Sequence, residues 1–247
     1  MNKVKILLSS IILLIVFFSG TALAAKGYKE INAADVKKFM DKGDALVVFP
    51  LSPMEFAHKH IKDSVNIIPA MMEYELPANK EKTVIFYCLG IKCVASWRAA
   101  EKAVALGYKN VYAFREGLPG WEKAGYPLMS TKKLLDVEIK KISTEDLAIM
   151  LYNKDIILLD INLEEDANKF HIDNEKRIHI PLDELNISLS QLPKKKKIVV
   201  MCLKGKRSAT AVKYLIGQGY DDVVIVDGGL QKWTLEGRPV KQEVASK

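Results

Sequence analysis

Apolar residues along the second half of this chain gather into short unbroken runs rather than alternating with polar ones. Ile156-Ile-Leu-Leu-Asp160, residues 197–202 and Val223-Val-Ile-Val226 each read as a strand buried on both faces. Between the last two, residues 208–216 carry a helical pattern that Gly217 and Gly219 end, and Ser143-Thr-Glu-Asp146 has the form of a helix N-cap. Strands of this kind separated by helices predict an α/β fold, a parallel sheet covered on both sides. In such sheets ligands bind beyond the carboxyl ends of the strands.

The pattern occurs twice. At an offset of 111 to 114 residues His60-Ile61 falls on His171-Ile172, Cys88 on Cys202, and Gly107-Tyr108 on Gly219-Tyr220. Glu116-Gly117-Leu118 falls on Gly228-Gly229-Leu230, Trp121 on Trp233, and Pro127 on Pro239. Shared landmarks at a nearly constant offset mark a duplication. The two units are placed at residues 26–129 and 137–240, joined by a lysine-rich stretch at 130–136. A chain of 247 residues accommodates two domains of about 100 to 150 residues each.

The N-terminus follows a different pattern. Lys3 and Lys5 precede a mostly apolar run over residues 6–18, followed by Ser19, Gly20 and Thr21-Ala-Leu-Ala-Ala25. That layout is a secretory signal, assigned to residues 1–25 with cleavage after Ala24, and its apolar run is shorter than the roughly 20 residues a membrane span needs. A periplasmic or secreted protein that is free of the membrane once the signal is removed is therefore expected. Taking Lys3 and Lys5 from the formal charge of +7 leaves +5 on the mature chain, an excess that suits small anions better than nucleic acid. The lysine run 194–197 reads as a solvated turn before a buried strand.

Three cysteines, Cys88, Cys93 and Cys202, are an odd number for an oxidising compartment, so at least one thiol is left over. Cys202 ends a strand and runs through Leu203, Lys204, Gly205, Lys206 and Arg207 into the helix that begins at Ser208. A thiol there meets loop amides and a helix N-terminus, both of which favour its thiolate, and three cations lie within five residues.

Cys202-Leu-Lys-Gly-Lys-Arg-Ser208 resembles the active-site loop of rhodanese domains, C-x-x-G-x-R-S. The resemblance extends through Leu159-Asp160, His171-Ile172, Ile180-Pro-Leu-Asp-Glu-Leu185 and Asp227-Gly-Gly-Leu-Gln-Lys-Trp233, and Arg115-Glu-Gly-Leu-Pro-Gly-Trp121 carries it in the first unit. It implies a five-stranded parallel sheet between helices in each unit, and a cysteine that carries sulfane sulfur as a persulfide. Related phosphatases place five residues between Cys and Arg, whereas Cys202 and Arg207 enclose four, a tighter ring that suits sulfur over phosphate. Asn162 stands where the family has an arginine in Asp-x-Arg, so a cost in loop rigidity more than in chemistry is expected.

The first unit departs further. Val84-Ile-Phe-Tyr-Cys88 leads into a loop two residues longer that contains Cys93 and has Ala95 at the basic position, while Phe49 and Leu51 replace the Asp and Arg of the first strand. It resembles a subgroup with a second loop cysteine, and reads as a specialised or decayed site. Because the compartment is oxidising and Ala95 supplies no cation, a Cys88–Cys93 disulfide is expected, with Cys202 the free thiol. His60 and His171 at element boundaries, like His58 and His179, read as structural, Trp121 and Trp233 as core anchors, and no Cys/His spacing suggests zinc.

These readings converge on a sulfurtransferase. The resemblance implies that Cys202 takes sulfur from a small anionic donor such as thiosulfate and releases it to a thiol, protein or cyanide acceptor, with Cys88 a lesser candidate nucleophile. Arg207 is expected to face the donor, while Leu203, Lys204, Gly205, Lys206 and Ser208 bind it through the loop. No metal or organic cofactor is implied. The alternatives are a non-catalytic module that binds sulfide species or a partner, and a thiol redox protein using Cys88 and Cys93.

Overall fold

The computed structural model describes residues 27–242, with Lys154 and Lys206 left aside; the expected signal at residues 1–25 lies outside the described residues. The first unit holds β1 (Lys29–Glu30), β2 (Ala45–Phe49), β3 (Val65–Asn66), β4 (Thr83–Tyr87) and β5 (Val111–Phe114) in the parallel order β1-β5-β4-β2-β3. The second holds β6 (Lys141–Ile142), β7 (Ile156–Asp160), β8 (Arg177–His179), β9 (Lys197–Met201) and β10 (Val223–Val226) in the parallel order β6-β10-β9-β7-β8. Adding five to each label turns the first order into the second, so the duplication in sequence is a duplication of topology.

Around the first sheet lie α1 (Ala33–Lys42), α2 (Pro53–His58), α3 (Met72–Glu75), α4 (Ala95–Ala105) and α5 (Gly117–Lys123). Around the second lie α6 (Thr144–Asn153), α7 (Glu164–Lys169), α8 (Ser208–Gly217) and α9 (Gly229–Leu235). Each sheet is covered on both faces. Ile157 and Leu159 of β7 belong to one apolar cluster and Ile156 and Leu158 to another, as alternation along a doubly buried strand requires. The expected cap is present: Ser143 Oγ accepts from Asp146 N at 3.0 Å, and Asp146 Oδ2 accepts from Ser143 N at 3.1 Å.

The two domains share core. Met54 of α2, in the first domain, is buried within the apolar cluster of the second, beside Ala211, Val212 and Leu215 of α8. The connecting stretch is tied to the same helix, for Thr131 N and Lys132 N both donate to Ala57 O, and Leu134 N donates to His58 Nδ1. Burial and the nearby Lys213, Lys59 and Lys133 lower the pKa of His58, which keeps that nitrogen free to accept. Among the described residues no helix is long and apolar enough to cross a membrane.

Candidate active site

Cys202 follows β9 at the carboxyl edge of the sheet and is buried, 5% exposed. Two backbone features hold it there. Its carbonyl accepts from Leu230 N at 3.0 Å, and the carbonyl of Leu203 accepts from Gln231 N at 2.8 Å, so the first turn of α9 grips the loop. Gly229 makes this approach possible. It has φ +61°, and a Cβ there would lie 2.1 Å from Cys202 O. Gly205 within the loop has φ +73° and packs against the amides of Gly228 and Gly229.

The first domain repeats the construction. Cys88 O accepts from Leu118 N at 3.0 Å, and a Cβ on Gly117, at φ +57°, would lie 2.0 Å from that carbonyl. The shared landmark Gly-Leu is thus the clamp on each cysteine loop. His60 and His171 are equivalent too, their Nδ1 atoms meeting Phe56 O at 2.7 Å and Ala167 O at 2.9 Å, and Trp121 and Trp233 donate to Pro127 O and Pro239 O. These side chains fasten elements together, as expected.

Arg207 lines the cavity in front of Cys202, yet its guanidinium does not stand free for a donor anion. Nη2 lies 2.6 Å from Asp183 Oδ1 and 3.0 Å from Glu55 Oε2, and Nε lies 3.4 Å from Glu55 Oε1. Glu55 and Asp183 are 4% and 6% exposed. Burial, together with Glu55, pushes the Asp183 carboxyl up against the pull of Arg207, while the two carboxylates outweigh desolvation and raise the arginine. The expectation that Arg207 faces the donor is corrected to this extent: its charge is already matched inside the protein. Glu55 also accepts from Ser52 N and Ser52 Oγ as the capping box of α2, so one carboxylate serves both the first domain's helix and the second domain's loop.

A related contact runs the other way. Asp166 of α7 holds Arg98 of α4 through Nη1 at 3.0 and 3.1 Å. Asp166 is the residue that falls on Glu55 in the repeat, and Arg98 lies one turn beyond Ala95. Each domain therefore offers a carboxylate from the same helix position to a cation at the loop and helix of its partner.

The Asp160 carboxylate is also satisfied from elsewhere. Arg177, on the neighbouring strand β8, donates from Nε and Nη2 at 3.0 Å to Oδ2, while Asn162 donates its backbone and side-chain nitrogens to Oδ1. The cost in rigidity expected from Asn162 is offset by Arg177, which approaches the same carboxylate from the side. In the first domain Asn66 Nδ2 ties the strand end instead, donating to Phe49 O and Leu51 O.

Cys88, Cys93 and Cys202 are all free thiols, so the expected Cys88–Cys93 disulfide is not the state the structure holds. Cys88 Sγ lies 3.4 Å from Ser96 Oγ and 3.6 Å from Cys93 O, fully buried at the base of its loop. Hydrogen bonding from the Cys93 thiol, aided by the Ser96 hydroxyl and the amides of Ser96 and Gly90, overcomes burial and lowers Cys88 to about 6. Cys93 moves up in turn, as the proton donor of the pair. Ser208, which falls on Ser96 in the repeat, is fully buried, and its Oγ has no hydrogen-bond partner among the described residues. Of the remaining loop residues Leu203 is half-buried and Lys204 exposed, whereas Lys206 lies outside the described residues.

Both cysteine loops border one cavity of about 1110 Å³ between the domains, with Cys202 and Arg207 on one side and Cys93 and Ala95 on the other. Asp183 lies within the family motif at 180–185, whereas Glu55, Asp166 and Arg177 were not singled out by sequence; the Ser-x-x-Glu spacing at Ser52 and the offset of 111 residues between Glu55 and Asp166 are signals that could have found the first two.

The family profile of the rhodanese-like domain matches residues 32–124 and again residues 143–236. The chain is 30% identical over 103 residues to a sulfurtransferase of Allochromatium vinosum, covering 41% of this chain and 94% of that one. It is 31% identical over 96 residues to the thiosulfate sulfurtransferase GlpE of Pseudomonas savastanoi pv. phaseolicola, covering 39% and 88%. Among solved structures it is similar to a rhodanese-related protein of Thermoplasma volcanium at 34% identity, over 42% of this chain and 99% of that one, with a TM-score of 0.38. With the profile matched in both halves, over the same sheet, loop and clamp, the chain belongs to the rhodanese-like domain family and carries that domain twice.

Proposed function

We propose that this chain is an exported sulfurtransferase whose second domain carries sulfane sulfur on Cys202. The observation that carries the reading is the placement of a free thiol at the cavity floor, on a loop gripped by the first turn of α9. The Cys202 thiolate attacks the outer sulfur of a donor such as thiosulfate, the sulfur–sulfur bond breaks, and sulfite leaves with the electron pair. A thiol or cyanide acceptor then attacks the outer sulfur of the persulfide and Cys202 leaves as thiolate. Loop amides and the α8 N-terminus supply fixed dipoles for the anionic sulfur at both stages. The N-terminal pattern of two lysines, apolar run and small residues supports export.

The test is mass analysis of the protein after incubation with thiosulfate. A gain of about 32 Da, one sulfur atom, is expected on the peptide containing Cys202 and is absent in Cys202→Ser. Full sulfurtransferase activity in Cys202→Ser overturns the assignment.

Cys88 supports a second reading, in which the first domain also carries sulfur. Its lowered pKa favours it, since a thiol at about 6 is largely thiolate at neutral pH. Activity remaining in Cys202→Ser and lost in the double variant with Cys88→Ser is its signature.

A further inference from the structure

We propose that the cavity between the domains binds the organic body of the acceptor thiol, and that this body is apolar with an anionic end. The inference rests on Cys202 as the sulfur carrier. A volume of about 1110 Å³ is slightly above the roughly 300–1,000 Å³ that holds drug-sized organic ligands, far beyond what a small inorganic anion fills. Its lining is mainly apolar and includes Leu51 and Leu89 from the first domain and Ile161, Leu163 and Leu203 from the second.

The divergent loop of the first domain contributes a continuous run, Leu89 to Ala95, to this surface. Leu89 and Ile91 are 40% and 59% exposed, and both line the cavity. Large aliphatic side chains held open to solvent beside a nucleophile are stabilised when an apolar ligand covers them. The longer loop of the first domain, which places Leu89 and Ile91 along the cavity, thus gives that domain a role in binding.

The charges select the other end of the ligand. Arg207 and Arg98 line the cavity but are matched by Glu55, Asp183 and Asp166. Lys92, Lys123 and Lys204 also line it, and no ion pair involves them among the described residues, against one lining carboxylate, Glu116, outside the paired groups. An anionic group displayed at the lysines, with the chain lying over Leu89 and Ile91 and the thiol at Cys202, meets each part of the surface with matching chemistry.

The experiment loads Cys202 with sulfur and measures kcat/KM for transfer to unbranched mercaptocarboxylates of increasing chain length, using the mature full-length protein. A rise of about two- to fourfold for each added methylene is expected until the cavity is filled. Ile91→Asp and Leu163→Asp should each flatten that slope, and Lys92→Gln with Lys123→Gln should abolish the preference for carboxylate-ended over hydroxyl-ended thiols of equal length. A flat series in the unsubstituted protein overturns the inference even while Cys202 loads normally. So does a steep series whose slope neither aspartate variant alters. Failure of Cys202 to load from any donor overturns the reading of function instead.

Discussion

Glu55 Oε2, in the first domain, lies 3.0 Å from Arg207 Nη2, in the cysteine loop of the second. Two buried carboxylates thus share one guanidinium, and one of them belongs to a domain whose own loop lacks the equivalent arginine. Removing one partner from a buried pair costs more than the pair contributes, because the other charge stays buried. Glu55→Gln keeps the size of the side chain and removes its charge. We expect sulfur loading at Cys202 to slow by roughly 10- to 100-fold, corresponding to about 1.5–3 kcal/mol for a hydrogen bond between charged groups. Arg207→Ala should slow loading from neutral and anionic donors alike, since its charge is already matched. Loading rates with thiosulfate and with a neutral persulfide decide both points, and selective loss of the anionic donor would restore Arg207 as a donor-binding cation.

Met54 makes the same dependence visible in packing. It is 7% exposed and lies in the core of the second domain, so Met54→Ala leaves a cavity there and should destabilise by about 2–5 kcal/mol. Hydrogen exchange should report the loss in α8, although the substitution lies in α2. Faster exchange confined to the first domain would mean that the two cores are independent.

The parts of this fold that burial dictates were legible in the sequence. Residues 223–226 form a strand over the predicted span, and the helix predicted at 208–216 runs from Ser208 to Gly217, because doubly buried strands and glycine-ended helices leave local patterns. The strand before Cys202 stops one residue earlier than predicted, at Met201, where the backbone turns into the loop. What stayed hidden depends on side chains meeting across long sequence separations. Glu55 reads locally as a helix cap, and nothing near it announces an arginine 152 residues away. Arg177 likewise replaces a missing arginine from the adjacent strand, a substitution that neighbouring positions in the sequence do not reveal. The pair at Cys88 and Cys93 was expected as a disulfide from compartment and loop charge, whereas the structure holds both as free thiols, with hydrogen bonds around Cys88 Sγ to Cys93 O and Ser96 Oγ.

Those hydrogen bonds make Cys88 a titration experiment. Thiolate absorbance in the ultraviolet, followed in Cys202→Ser, should rise by one thiolate around pH 6, while Cys93 stays protonated well above it. Cys93→Ala removes the largest cause of the lowering and should move the transition up toward the ordinary thiol value of 9.0. The sign for stability follows. A depressed pKa in the folded state means that the Cys88 contribution is complete above about pH 9 and is lost as pH falls through about 6. Denaturant unfolding of Cys202→Ser and of its Cys88→Ala derivative should therefore diverge as pH rises through that window. A constant difference across it would show that Cys88 titrates alike in both states.

Ser208 offers the last test, since its buried hydroxyl has no partner among the described residues while its repeat equivalent, Ser96, lies 3.4 Å from Cys88 Sγ. A buried polar atom left unpaired costs on the order of 1–3 kcal/mol, so a protein that retains one needs a reason. A persulfide sulfur on Cys202 would supply the missing partner, and the cost would be recovered only in the loaded state. Ser208→Ala should consequently leave the unloaded protein as stable as before or more so, while the Cys202 persulfide decays faster to solvent thiols, by about fivefold or more for a lost hydrogen bond of roughly 1 kcal/mol or above. Thermal unfolding of the unloaded protein and the lifetime of the persulfide by mass analysis are the two readouts. Destabilisation of the unloaded protein with an unchanged persulfide lifetime would assign Ser208 to packing alone.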